Sequence, residues 1–127
     1  PVTDDKGESF EPYTFTVKNT GTTDAKYRIL LVNDEEKYKE HGCSDLKLDW
    51  SNIKYSFSKD NEVATIGNLG TSGGVLTEGL LKTDDKSSYS LKLWIKAEAT
   101  NEIMNQHFHG LIKVEAIQSD QELPVND

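Results

Sequence analysis

Apolar and polar residues alternate one by one along several short stretches of this chain, and the clearest two lie in its first third. Tyr13, Phe15 and Val17 alternate with Thr14, Thr16 and Lys18, and Ala25, Tyr27, Ile29 and Leu31 repeat the alternation further on. A period of two puts each apolar set on one face of a pleated strand. Between them, Asn19-Thr20-Gly21-Thr22-Thr23-Asp24 offers the Asn, Gly and Asp that a chain reversal needs. The two segments therefore read as a β-hairpin or as two strands facing each other across a sandwich.

The pattern recurs downstream. Ile53, Tyr55 and Phe57 alternate with Lys54, Ser56 and Ser58, giving a third strand that ends in the turn Lys59-Asp60-Asn61. A fourth is expected over 62–68, a fifth over 75–82 and a sixth where Tyr89, Leu91, Leu93 and Ile95 alternate with Ser90, Lys92, Trp94 and Lys96. The last, over 107–118, carries Phe108, Gly110, Ile112, Val114 and Ala116 on one face. The glycines of 70–74 read as a flexible turn, and 97–106 as a connection with some helical character. In the charged segment after the second strand, Asp34, Glu35 and Glu36 suit a helix start and Gly42 a C-terminal cap, so a short helix leaning on the domain through Tyr38 is expected there. About seven short strands and no core-building helix predict an all-β protein, an antiparallel β-sandwich of immunoglobulin-like or jelly-roll type. A lipocalin-like barrel is the structural alternative.

The 127 residues make one domain. Its expected parts are a polar N-terminal lead-in at 1–12, a sandwich at 13–118 and a flexible C-terminal tail at 119–127. The longest apolar run, Ile29-Leu30-Leu31-Val32, falls far short of the roughly 20 residues of a membrane helix, so no membrane insertion is expected. The chain opens at Pro1 rather than Met, which reads as a processed or trimmed product. With 14 basic against 22 acidic residues, the net charge of -8 argues against nucleic acid as a partner. The acidic groups at Asp4-Asp5, Asp34-Glu35-Glu36 and Asp84-Asp85 read as solvated turns, and none has the spacing of a calcium loop. The single cysteine, Cys43, rules out an intramolecular disulfide.

Three phrases, taken in order, carry a resemblance. They are the Phe15–Ala25 run FTVKNTGTTDA, then Ser90-Leu91-Lys92-Leu93-Trp94-Ile95, then the Phe108–Ala116 run FHGLIKVEA. Together they resemble the small secreted proteins of Gram-positive bacteria related to TasA and camelysin, over most of 13–118. The resemblance implies a leader removed on export, a jelly-roll sandwich, a secreted or cell-surface location and, in the TasA branch, assembly into biofilm-matrix fibres. The chain departs from TasA in lacking its large insertions.

The sequence also gives that role a physical basis. An unclosed sandwich leaves unpaired backbone groups along its sheet edges, and a strand from a neighbouring copy satisfies them. The lead-in, with Val2 and Phe10 its only large apolar residues and Glu11-Pro12 extended before Tyr13, is the segment the core does not account for. Val2, Phe10, Pro12 and Tyr13 are thus the expected assembly residues of a homopolymer, a non-enzymatic fibre subunit whose partners are copies of itself and other matrix or cell-surface components. The alternative is a monomeric adhesin-like module presenting its loops to a glycan or protein.

Candidate chemistry is sparse. His107 and His109, two apart on a strand, project to the same face, and His41 and Cys43 are the remaining imidazole and thiol of the chain. A polar strand face is the ordinary reading of such a pair, so no metal or other cofactor is expected. Camelysin-like proteins carry a metalloprotease label, but no His-Glu-x-x-His helix is present and no nucleophile motif includes a histidine. Trp50 and Trp94 read as packing residues rather than as a glycan platform.

Overall fold

The structure, a computed structural model, describes residues 1–118 and folds them into a two-layer antiparallel sandwich. The tail at 119–127, expected to be flexible, lies outside the described residues. The described residues form seven strands: β1 (Tyr13–Lys18), β2 (Ala25–Asn33), β3 (Ile53–Lys59), β4 (Thr65–Asn68), β5 (Val75–Leu81), β6 (Lys86–Ile95) and β7 (Gly110–Gln118). One sheet has the order β1-β6-β3-β4 and the other β5-β2-β7. The all-β sandwich expected from the alternation is therefore the fold.

The pairings nest. β3 pairs with β4, β2 with β5 and β1 with β6, like one long hairpin folded over on itself. That is jelly-roll nesting. An immunoglobulin order would put the first two strands in the same sheet, whereas here β1 and β2 lie in different ones. Of the two readings of 13–32, the strands facing across a sandwich hold and the hairpin does not. Asn19 makes the crossing: its Nδ2 donates to the carbonyls of Thr23 and Leu81, both at 2.9 Å, while its Oδ1 accepts from the Gly21 N–H.

The alternating residues form the core, with Tyr27, Ile29 and Leu31 from β2, Ile53, Tyr55 and Phe57 from β3, and Tyr89 and Leu91 from β6. The Tyr89 ring stacks on Phe15 and Phe57 with centroids 5.5 and 5.2 Å away, and its hydroxyl is hydrogen-bonded to that of Tyr27. Burial, reinforced by that bond, pushes the Tyr89 phenol well above its ordinary range.

The lead-in, which the sequence leaves outside the core, is helical and held by its own copy. It folds as α1 (Asp4–Glu8), capped by the Thr3 hydroxyl, and docks on its own β6. Val2 N–H donates to the Ile95 carbonyl at 2.9 Å, Trp94 Nε1 to Asp4 Oδ1 at 3.2 Å, and Lys54 pairs with Asp4 at 3.3 Å. The cause is Trp94, which sits at a polar-parity position of β6 and is 4% exposed because Gly7 lies against its indole. Asp4 is thus tied into the structure rather than merely solvated.

Other boundaries shift for local reasons. The glycine-rich turn at 70–74 contains a helical turn, α3 (Leu69–Ser72), capped by the Asn68 side chain and closed by Gly73 at φ 64°. β4 is shorter than 62–68, the 97–106 connection contributes one 3-10 turn at Asn101–Ile103, and β7 begins at Gly110 rather than at 107. The expected acidic helix is α2 (Glu35–Glu40), capped by Asp34, with Gly42 left-handed at φ 66° after its last turn.

Candidate functional site

Two places stand out, one along an open side of the sandwich and one at the start of β7. The first follows from a mismatch between layers, since one sheet has four strands and the other three. β7 has no partner on its outer edge among the described residues, although the nesting reserves that place for a strand preceding β1. β1 is the strand left uncovered. Its residues Tyr13 and Phe15 pair with Leu91 and Tyr89, so they point to the core side, yet Tyr13 is 60% exposed. On β7, Val114 stands opposite the buried Ile29 and shares its face, yet is 42% exposed.

A cleft of about 450 Å³ opens on this side between Tyr13, Leu91 and Leu93 of one sheet and Leu31 and Ile112 of the other, with Phe10 and Phe108 also lining it. A separate cavity of about 230 Å³ is lined by Val17, Tyr27, Leu81, Val114 and Ala116. The structure therefore brings two of the four expected assembly residues, Phe10 and Tyr13, to the cleft. Pro12 is exposed between them, and Val2 is instead bonded to the far end of β6. Sequence reasoning missed Ile112 and Val114, because alternation identifies the inward face of a strand but not whether another strand lies beside it.

The second place gathers the soft ligands. One ligand atom from each of Cys43, His107 and His109 lies within 4.8 Å of the others. The His107 and His109 rings are parallel within 4°, with centroids 6.2 Å apart, so the expected common face is real although both residues precede β7. The His41 ring is 4.8 Å from that of His109. Cys43 is buried, His109 half-buried, and His41 and His107 exposed.

The backbone around these groups is tightly held. Past α2 the left-handed Gly42 reverses the chain so that Cys43 N–H donates to the Tyr38 carbonyl at 2.9 Å, placing Cys43 under the helix. His107 exchanges 2.7 Å hydrogen bonds with Leu46 and Leu48, and the His109 carbonyl accepts from Asp34 N–H at 2.7 Å. The Tyr38 hydroxyl, fully buried, donates to the His107 carbonyl at 3.2 Å and accepts from His109 N–H at 3.1 Å. Tyr38 thus anchors the histidine segment as well as the helix, a role invisible in its sequence neighbourhood. His109 Nε2 is buried without a hydrogen-bond partner.

Among the described residues no helix is long and apolar enough to cross a membrane. The chain matches no protein-family model, no curated protein and no solved structure.

Proposed function

We propose that this chain is a secreted structural subunit whose copies join by strand complementation along the open side of the sandwich, building an extracellular surface or biofilm-matrix fibre. The observation that carries the reading is the uncovered inward face of β1 and β7, with Tyr13 and Val114 exposed, each lining a cavity, on the side where the nested order leaves room for one more strand. A strand laid beside β7 would satisfy its outward N–H and C=O groups and cover those side chains in one step. In chain order the absent partner is the segment just before β1, so the donor is the lead-in of another copy, exchanged in extended form. In its own copy that lead-in is a helix of five residues, too short to persist alone and held by its docking on Trp94, so the gain from complementation has to offset the exposure of that indole. The resemblance of the three sequence phrases to TasA-like proteins points the same way.

Negative-stain electron microscopy with sedimentation, over a range of concentration and pH, tests this. Wild-type protein is expected to form filaments with a repeat of one domain. Val114→Asp, which changes an already exposed side chain, and deletion of residues 1–10 are expected to leave monomers. Wild-type monomers under every condition would overturn the reading. The cleft also favours a second reading, since about 450 Å³ is the size of an ordinary ligand site. On that reading the protein is a monomeric adhesin-like module, and an extended peptide or glycan binds the wild type but not Tyr13→Asp, which changes an exposed side chain lining that cleft.

A further inference from the structure

We propose that Cys43, His107 and His109, with His41 as the fourth ligand, form a binding site for a borderline-soft divalent cation of the Zn²⁺ type. The inference does not depend on whether copies of the chain assemble.

Three observations carry it. The first is convergence: the chain's only thiol and two of its three imidazoles come within 4.8 Å of one another, from segments more than sixty residues apart. In a tetrahedral site with Zn–N near 2.0–2.1 Å and Zn–S near 2.3 Å, ligand atoms are separated by about 3.5 Å. A contraction of about an ångström, within reach of side-chain rotation, closes the set around an ion. His41, an exposed side chain whose ring is already 4.8 Å from that of His109, approaches by the same means.

The second is the buried His109 Nε2. A buried polar atom without a partner costs free energy, and native structures keep few of them. A cation bound at Nε2 would supply the partner that the protein does not offer. The third is preorganisation. Hydrogen bonds from Leu48, Asp34 and Tyr38 fix the backbone on both sides of the two imidazoles, and the Gly42 reversal fixes Cys43. A rigid shell of this kind reduces the ordering that metal binding would otherwise require.

A thiol with imidazoles selects Zn²⁺, and Co²⁺ in its place, over Mg²⁺ and Ca²⁺, which take oxygen ligands. Cys43 binds as the thiolate, so each ion bound releases the thiol proton to solvent. The ion would clip the turn after α2 to the segment entering β7. The role is structural: no reaction is assigned to it.

The test uses the full chain, stripped with a chelator and titrated with Co²⁺ and then Zn²⁺. Wild type is expected to bind one Co²⁺ with tetrahedral visible bands and a sulfur-to-cobalt charge-transfer band, all abolished by Zn²⁺. Zn²⁺ should also raise the thermal midpoint. Cys43→Ser should lose the charge-transfer band, and His107→Ala, His109→Ala and His41→Ala should each weaken binding about tenfold or more. His107 and His41 are exposed, so their variants keep the test valid if Cys43→Ser fails to fold. A wild type without the cobalt spectrum, or the same Zn²⁺ affinity in the histidine variants as in wild type, would overturn the proposal.

Discussion

The buried Tyr27 and Tyr89 hydroxyls, from strands of different sheets, are hydrogen-bonded to each other. Both residues were legible as inward-facing from their place in the alternation, but their contact was not, because they belong to strands of different sheets. The pair makes stability depend on alkali. Tyr89 keeps its proton in the folded state well above the ordinary phenol value of 10.0, whereas an unfolded tyrosine releases it near that value. Its contribution is therefore complete below about pH 10 and declines as pH rises beyond it. Urea titrations between pH 8 and 11 are expected to show that decline in wild type and a flatter profile in Tyr89→Phe. At neutral pH the same substitution leaves the Tyr27 hydroxyl buried without its partner and should cost about 1–3 kcal/mol. The histidine cluster divides in the same way: the nearness of His107 and His109 was legible from their spacing, although they precede β7 rather than lie on a strand, while the approach of Cys43 and His41 depends on where α2 docks.

At the scale of the element, the strands held where alternation was strict, and the one helix that was expected had a cap signal at each end. α2 was expected from an acidic start at Asp34 and a closing Gly42, and both serve those roles. α1 was missed because it has no apolar stripe: its partner surface is one indole, and it meets that indole with Gly7. A methyl group at Gly7 would overlap the Trp94 ring, so Gly7→Ala is expected to lift α1 from β6 at a cost of about 1–3 kcal/mol. The checks are a lowered urea midpoint and a red shift in tryptophan emission as Trp94 meets water. If both stay unchanged, the helix does not dock as described. α3 escaped notice for a different reason. Glycine lowers helix propensity, yet one turn between the Asn68 cap and the left-handed Gly73 needs little of it.

At the scale of the whole molecule, the alternation specified the layer architecture but not the strand order, since a period of two is the same for every pairing. Charge adds a constraint on assembly that the fold does not. Copies carrying a net charge of -8 repel one another, and added salt screens that repulsion. On the fibre reading, the concentration at which filaments appear is expected to fall as sodium chloride is raised from 10 to about 150 mM, where the screening length shrinks to roughly 8 Å. Light scattering across a salt series checks this, and a rising threshold would count against assembly through this face. The place of β7 has a further effect, on the timing of folding. β2, the middle strand of its sheet, comes early among the described strands, and its long-range partner β7 is the last of them. Pairs so distant in sequence form slowly. As the chain emerges from a ribosome or an export channel, one edge of β2 stays bare until residues 110–118 arrive, so the sheet is completed only after synthesis of the domain is nearly finished.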